Sequence, residues 1–186
     1  MRRVLFGVMV VMIASSMVGA GELAKVTMPD QVTVSGKTLH LNGMGLRKKM
    51  MFKIYVAGLY LEQTSHDAAA IVNAAETKQV VMHFTTNKAT KKRMDEAWVE
   101  GFEANSPERY AAVADRVKTF IGYFGDMKDG DVIELTMSPG EGTTVALNGE
   151  QKGVIEGDDF AKALLLVWLG DKPPTEDLKK GMLGSS

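Results

Sequence analysis

The hydrophobic pattern of this chain is dominated by one apolar run, from Met50 to Leu61, which only Lys53 interrupts. A run of this length that is rich in aromatic residues predicts a central strand, Phe52–Leu61, buried on both faces. Because side chains alternate along a strand, Lys53 and Tyr55 are expected to share one face. The same face is expected to carry Met51, Ala57, Leu59 and Leu61.

The remaining pattern alternates between short strands and amphipathic helices. Further strands are predicted at Val26–Val34, Thr38–Leu41, Gln79–Thr86, Val132–Met137, Thr143–Leu147 and Gly153–Ile155. Helices are predicted at Asp67–Ala75, at Thr90–Ala104, from Ser106 to Phe124, from Asp158 or Asp159 to Leu169, and from Pro173 to Lys180. This order indicates an α+β fold, in which an antiparallel sheet carries a layer of helices on one face.

The helix predicted over Thr90–Ala104 carries apolar residues at helical spacing, namely Met94, Trp98 and Phe102. Such a stripe is typical of a helix face that packs on the core. If a ligand pocket lies between sheet and helix, the same side chains also form part of its wall. The stripe is therefore consistent with a core role, a ligand-binding role, or both.

The first twenty residues have the pattern of a secretory signal peptide. A basic start is followed by an apolar segment and then by small residues, which predicts cleavage after Ala20. The apolar segment is short for a membrane span, which favours cleavage over a retained anchor. We therefore predict a signal peptide over residues 1–20 and a single periplasmic or secreted domain over residues 21–186.

Composition argues against several classes of function. The formal net charge is −1 and becomes more negative when the predicted signal peptide is removed, so no nucleic-acid partner is expected. The chain has no cysteine, and its three histidines, His40, His66 and His83, lack the spacing of a metal site. Gly43-Met44-Gly45 precedes a strand rather than a helix, unlike a nucleotide-binding loop. No metal and no cofactor are predicted.

Arg47, Lys48 and Lys49 place three cations directly before the apolar strand. An arginine guanidinium holds a carboxylate or an enolate through two parallel hydrogen bonds. Tyr55 adds a phenol proton and a ring that packs on an acyl chain or an aromatic ligand, and Lys53 is expected to project into the same space. The alternative is a solvated turn ahead of a core strand, and from the residues alone both interpretations stay open.

A second basic cluster, Lys91-Lys92-Arg93, lies at the start of the helix predicted over Thr90–Ala104. Cations oppose the helix dipole at this position, so an anionic partner or a membrane surface is one explanation. A solvated helix face is the other.

These segments resemble the chalcone isomerase-like superfamily, and in particular its bacterial exported members. The resemblance rests on Gly43-x-Gly45-Leu46-Arg47 and on Phe52–Leu61, with support from Trp98-x-x-Gly101-Phe102, Asp129-Gly130-Asp131 and Leu166–Gly170. It implies an open-faced β-sandwich, in which a ligand cleft lies between the antiparallel sheet and the helices.

The resemblance also implies two kinds of ligand chemistry. Plant enzymes of the superfamily cyclise a chalcone to a flavanone with an arginine that stabilises the phenolate, whereas plastid members hold a fatty-acid carboxylate with an arginine and a tyrosine. Arg47 matches the arginine and Tyr55 matches the tyrosine. The other isomerase positions fall near Met94, Gly101 and Val167, which cannot make the enzyme's hydrogen bonds.

We therefore consider three hypotheses for the function. The first is a non-catalytic periplasmic protein that binds a fatty acid or a similar amphipathic carboxylate. The second is an intramolecular lyase of the chalcone isomerase type, with Arg47 as its catalytic residue, and the third is an envelope interaction protein without a small ligand. For the first hypothesis the candidate ligand contacts are Arg47, Tyr55, Lys53, Met94, Trp98 and Val167.

Overall fold

The computed structural model describes residues 20–185, so the predicted signal peptide lies outside the described residues except for Ala20. The strands are β1 (Ala20–Leu23), β2 (Val26–Pro29), β3 (Gln31–Val34), β4 (Lys37–Lys49), β5 (Phe52–Leu61), β6 (Lys78–Phe84), β7 (Val132–Ser138), β8 (Gly142–Leu147) and β9 (Glu150–Ile155). The helices are α1 (Ala68–Asn73), α2 (Lys91–Asn105), α3 (Pro107–Gly122), α4 (Asp158–Leu169) and α5 (Glu176–Met182).

Seven strands, from β3 to β9, form one antiparallel sheet in the order in which they occur along the chain. The helices α2 and α3 connect β6 to β7, whereas α4 and α5 follow β9. Strands β1 and β2 form a separate two-stranded hairpin. The predicted α+β fold with an antiparallel sheet and packed helices is confirmed.

The sheet has an apolar core on each face. The larger core includes Tyr55 and Ala57 of β5 together with the buried side chains of all five helices. The smaller core joins Val56 and Tyr60, on the opposite face of β5, to Met28 of β2. Strand β5 is therefore covered on both faces, which explains why its sequence is almost continuously apolar.

Strand β4 is longer than the predicted strand Thr38–Leu41, because it continues to Lys49. The basic triplet Arg47–Lys49 therefore ends a strand, and the interpretation of these residues as a turn is wrong. The misprediction has a physical cause: a Cβ on Gly45 would collide with the backbone carbonyl oxygen of Leu178 in α5. The glycine that weakens the strand signal in the sequence is what lets α5 pack directly on β4.

The remaining boundaries differ from the predictions by a few residues. The predicted strand Val26–Val34 is divided at Asp30 into β2 and β3. Ser106 precedes α3 as predicted, but its hydroxyl makes no capping hydrogen bond. The turn between β8 and β9 is a two-residue loop in which Asn148 and Gly149 have φ angles of 53° and 78°, as such tight hairpins require.

Candidate functional site

Arg47 is positioned by the pairing of β4 with β5. Its register partner is Tyr55, and the next pair along the hairpin is Lys48 with Lys53. Ile54 has no partner between these pairs, so β5 contains a β-bulge that interrupts the alternation of its side chains. As a result Ile54 and Tyr55 both pack on the helix-side core, whereas Lys53 is exposed.

The half-buried side chain of Arg47 lies over the ring of Tyr55, with 5.6 Å between Cζ and the ring centroid. This cation–π contact orients the guanidinium without neutralising its charge. Tyr55 is only 2 % exposed, and its hydroxyl oxygen accepts a hydrogen bond from Nε1 of Trp168 at 3.1 Å. Arg47 therefore packs on Tyr55, and Tyr55 is in turn held by Trp168 of α4.

A groove of about 530 Å³ opens beside Arg47, between the end of the β4–β5 hairpin and α2. We call this cavity the Arg47 groove. Its basic lining residues are Arg47, Lys49, Lys88 and Arg93. Its apolar lining residues are Met50, Phe52, Ile54, Ala89, Met94 and Ala97. The groove thus combines several positive charges with an apolar wall, and no carboxylate lies among its lining residues.

The cations of the Arg47 groove are held by contacts that leave their charge uncompensated. Nζ of Lys88 lies 3.6 Å from the centre of the Phe52 ring. The guanidinium of Arg93 donates to the backbone carbonyl oxygen of Lys88 at 3.1 Å. Among residues 20–185, the ion pairs include none of the basic residues that line the groove. A positive potential is therefore expected inside the groove.

A second cavity, of about 350 Å³, lies on the other side of Arg47, between α2 and the segment that follows α4. Lys48 and Lys172 line it together with Glu100, so its charges are mixed. Val167 also lines this cavity, next to Gly101, where an added Cβ would come within 2.8 Å of Cγ1 of Val167. Gly101 therefore permits the close packing of α2 on α4.

A comparison with protein families matches residues 20–184 to the family described as chalcone isomerase-like. The chain belongs to the chalcone isomerase-like family. A comparison with curated proteins found no match.

The fold of this chalcone isomerase-like protein is also found in a solved structure. A fatty-acid binding protein of Arabidopsis thaliana superposes with a TM-score of 0.70 at 14 % sequence identity. The match covers 89 % of this chain and 96 % of the plant chain. At this identity the likeness shows the fold, which agrees with the architecture described above.

The structure separates the predicted site residues of this family member into three groups. Arg47 and Met94 line the Arg47 groove, and Val167 lines the second cavity. Tyr55 is buried beneath Arg47, and Trp98 is buried in an aromatic cluster, 5.0 Å from Phe120 and 5.5 Å from Trp168 between ring centroids. The last group is Lys53 alone, which lines neither cavity.

Several residues of the Arg47 groove carry no clear signal in the sequence. Lys88 lies in the connection before α2, where no periodic pattern marks it. Arg93 follows Lys91 and Lys92 directly in the sequence, yet those two lysines pair with the acidic residues one helical turn later, at 2.9 Å and 3.9 Å. The groove residues that were not among the candidate ligand contacts are Lys49, Met50, Phe52, Ile54, Lys88, Ala89, Arg93 and Ala97.

Two further observations concern residues 20–185. No group of three or more His, Cys, Asp or Glu side chains in this range is arranged to hold a metal ion. No helix in the same range is both long enough and apolar enough to cross a membrane.

Proposed function

We propose that this protein binds a fatty acid or a similar amphipathic carboxylate in the Arg47 groove, without converting it chemically. The observation that carries the proposal is the position of the Arg47 guanidinium, which has no carboxylate partner in the described chain and faces an apolar wall. A few polar groups placed in an otherwise apolar cavity are the usual design of a small-molecule site, and about 530 Å³ is within the usual size range.

The proposal gives each part of the groove a role. Arg47 receives the carboxylate in a bidentate arrangement, and Arg93 and Lys88 increase the positive potential around it. The alkyl chain lies against Phe52 and Met94, whose burial from water supplies most of the binding free energy. Tyr55 supports Arg47 from the core side.

The structural neighbour supports the same class of ligand, because the plant protein of this fold is a fatty-acid binding protein. The lining of the groove favours binding over catalysis. None of its lining residues carries a hydroxyl or an amide side chain that would position a chalcone beside Arg47. Loss of the chalcone absorbance band faster than the spontaneous rate would instead support an intramolecular lyase.

The test compares the wild-type protein with Arg47→Ala. Each protein is purified, extracted with organic solvent and analysed by mass spectrometry, and its affinity for palmitate is measured by calorimetry. Arg109→Ala is the matched control, because Arg109 is an exposed arginine of α3 that does not line the Arg47 groove. We expect Arg47→Ala to weaken palmitate binding by at least about tenfold, as for loss of a charge-assisted hydrogen-bonded pair, and Arg109→Ala to bind like the wild type.

The proposal fails if the extracts contain no amphipathic carboxylate and added palmitate neither binds nor raises the melting temperature. It also fails if the two variants lose affinity equally. A stable protein partner that co-purifies with both variants would favour the interaction protein without a small ligand.

We also propose that the protein acts in the periplasm or outside the cell, after removal of residues 1–20. The support is the signal-peptide pattern at the start of the chain. N-terminal sequencing of the protein from separated cell fractions tests this. A mature chain that begins at Gly21 in the soluble envelope fraction is expected, and an intact Met1 start in the cytoplasm would contradict it.

A further inference from the structure

The tip of the β4–β5 hairpin exposes an unusual amount of apolar surface. Met50 is 91 % exposed, Met51 is 86 % exposed and Phe52 is 38 % exposed. In the described part of the chain, Val154 is the one other large hydrophobic residue that is exposed, at 44 %. Three of the four such residues are thus consecutive, and a contiguous exposed apolar patch marks a contact surface.

The local backbone conformation does not explain the methionines. Met50 has a φ of 56°, at the first position of a two-residue hairpin loop. Glycine, asparagine or aspartate is favoured there, because a longer side chain is strained at positive φ. Met50 therefore occupies a position that suits it neither by conformation nor by burial, which indicates a role outside the folded monomer.

Basic residues surround this tip. Lys48, Lys49 and Lys53 flank it in sequence, and Lys88 and Arg93 line the groove that opens beside it. The ion pairs of residues 20–185 include none of these five. The tip is therefore an apolar surface flanked by basic residues whose charge no ion pair compensates.

We propose that this hairpin tip docks onto the surface of an anionic lipid bilayer. Met50, Met51 and Phe52 enter the boundary between head groups and acyl chains, and the flanking lysines contact the lipid phosphates. Exposed apolar residues with basic neighbours are the combination that holds a peripheral protein at such a surface. A second copy of this chain fits the tip less well, because its own lysines would meet those of the first.

Docking through the tip places the opening of the Arg47 groove next to the bilayer. Lys49, Met50 and Phe52 line both the tip and the Arg47 groove, so a bilayer contact at the tip lies at the opening of the groove. An amphipathic carboxylate then passes between bilayer and groove without crossing bulk water. Docking itself goes beyond the proposed function and is tested below without any added ligand, so either can fail alone.

The test is co-sedimentation of the purified protein with vesicles of phosphatidylcholine and phosphatidylglycerol, and with vesicles of phosphatidylcholine alone. The key variant is Met50→Asn combined with Met51→Ser, which removes the apolar tip and places asparagine at a φ that it tolerates. Val154→Ser, on β9, is the matched control, since it removes the remaining exposed large hydrophobic residue of residues 20–185. Circular dichroism and size-exclusion chromatography check that each variant is folded and monitor its oligomeric state.

We expect the wild type to bind the anionic vesicles and to be released by about 0.5 M sodium chloride, because exposed charges are then screened. The double variant is expected to lose at least about tenfold in affinity, as two methionine side chains no longer leave water, while Val154→Ser binds like the wild type. The proposal is overturned if anionic vesicles bind no better than neutral ones, or if the double variant binds as well as the wild type. A concentration-dependent dimer that the double variant abolishes would also overturn it, in favour of self-association.

Discussion

The guanidinium carbon of Arg47 lies 5.6 Å from the centre of the Tyr55 ring, across the register pair that joins β4 to β5. The Tyr55 hydroxyl is in turn fixed by the indole N–H of Trp168. The cation of the proposed ligand site is therefore supported by a side chain of the core, whereas a surface arginine would move freely. The first prediction tests this support.

Tyr55→Phe is expected to lower the free energy of unfolding by about 1–3 kcal/mol, because the buried indole N–H of Trp168 loses its acceptor. Palmitate affinity is expected to fall less than in Arg47→Ala, since the phenyl ring still carries the guanidinium. Chemical denaturation measures the first effect and calorimetry the second.

The control for this experiment is Tyr110→Phe, because Tyr110 of α3 is only partly buried and its hydroxyl makes no hydrogen bond within the described residues. We expect that variant to remain within about 0.5 kcal/mol of the wild type, as for most surface substitutions. Equal losses in both variants would show that the bond to Trp168 contributes nothing specific.

A second prediction concerns the length of the ligand. Ala97 lies on α2 and lines both cavities beside Arg47. Ala97→Leu places three further carbon atoms in this space, so palmitate affinity is expected to fall by about tenfold, as for a moderately overpacked site, while octanoate is affected less. Displacement of a fluorescent fatty acid measures both.

Ala111→Leu is the matched helix control, since Ala111 is an exposed residue of α3. Its palmitate affinity should equal that of the wild type. If Ala97→Leu also leaves palmitate affinity unchanged, the alkyl chain lies elsewhere.

A third prediction concerns the contact between β4 and α5. Gly45→Ala is expected to lower the free energy of unfolding by more than about 3 kcal/mol, because the added Cβ meets the rigid backbone of Leu178. Gly122→Ala, at the end of α3, meets no atom within 4 Å and is expected to be neutral or stabilising by up to about 1 kcal/mol. Urea denaturation measures the stability of both variants. Similar stabilities for the two variants would contradict the close packing of α5 on Gly45.

A fourth prediction concerns alkaline pH. Burial, and to a lesser extent the charge of Asp30, raises the pKa of Tyr60 to about 12. Its hydroxyl also donates to the backbone carbonyl oxygen of Pro29 at 2.9 Å, which requires the protonated form. An unfolded tyrosine ionises near pH 10. The stabilisation from neutral Tyr60 is therefore complete below about pH 10 and is lost as the pH rises through about 12.

We expect the free energy of unfolding of the wild type to fall across this window, and that of Tyr60→Phe to fall less steeply. Denaturation curves at several alkaline pH values measure the slopes. A Tyr60→Phe slope equal to that of the wild type would rule out Tyr60 as the cause.

The spacing of apolar residues along the sequence predicted those elements of the fold that bury one regular face. The stripe of Met94, Trp98 and Phe102 is buried in α2, and Tyr55 and Ala57 share the helix-side core. These elements were predictable because burial of a regular face leaves a regular pattern in the sequence.

The site was less predictable, because its geometry depends on irregular features. The bulge at Ile54 moves Lys53 away from the face of Tyr55, and no residue type marks that bulge in the sequence. Position 45 lies in a strand, yet it is a glycine because a Cβ there would collide with the backbone of α5. Arg93 faces the groove whereas its neighbour Lys92 does not, a difference of one helical position that charge patterns do not resolve.

The contact of α5 with β4 also bears on the order in which the parts of the fold come together. Each strand of the sheet pairs with the next strand along the chain, so the sheet is able to form by the stepwise addition of strands. The side-chain amide of Asn42 on β4, however, donates to the carbonyl oxygen of Met182 at 3.0 Å, across 140 residues. Such distant contacts form slowly, because a long loop must close first. The face of β4 that α5 covers therefore remains open until the C-terminal helix is in place.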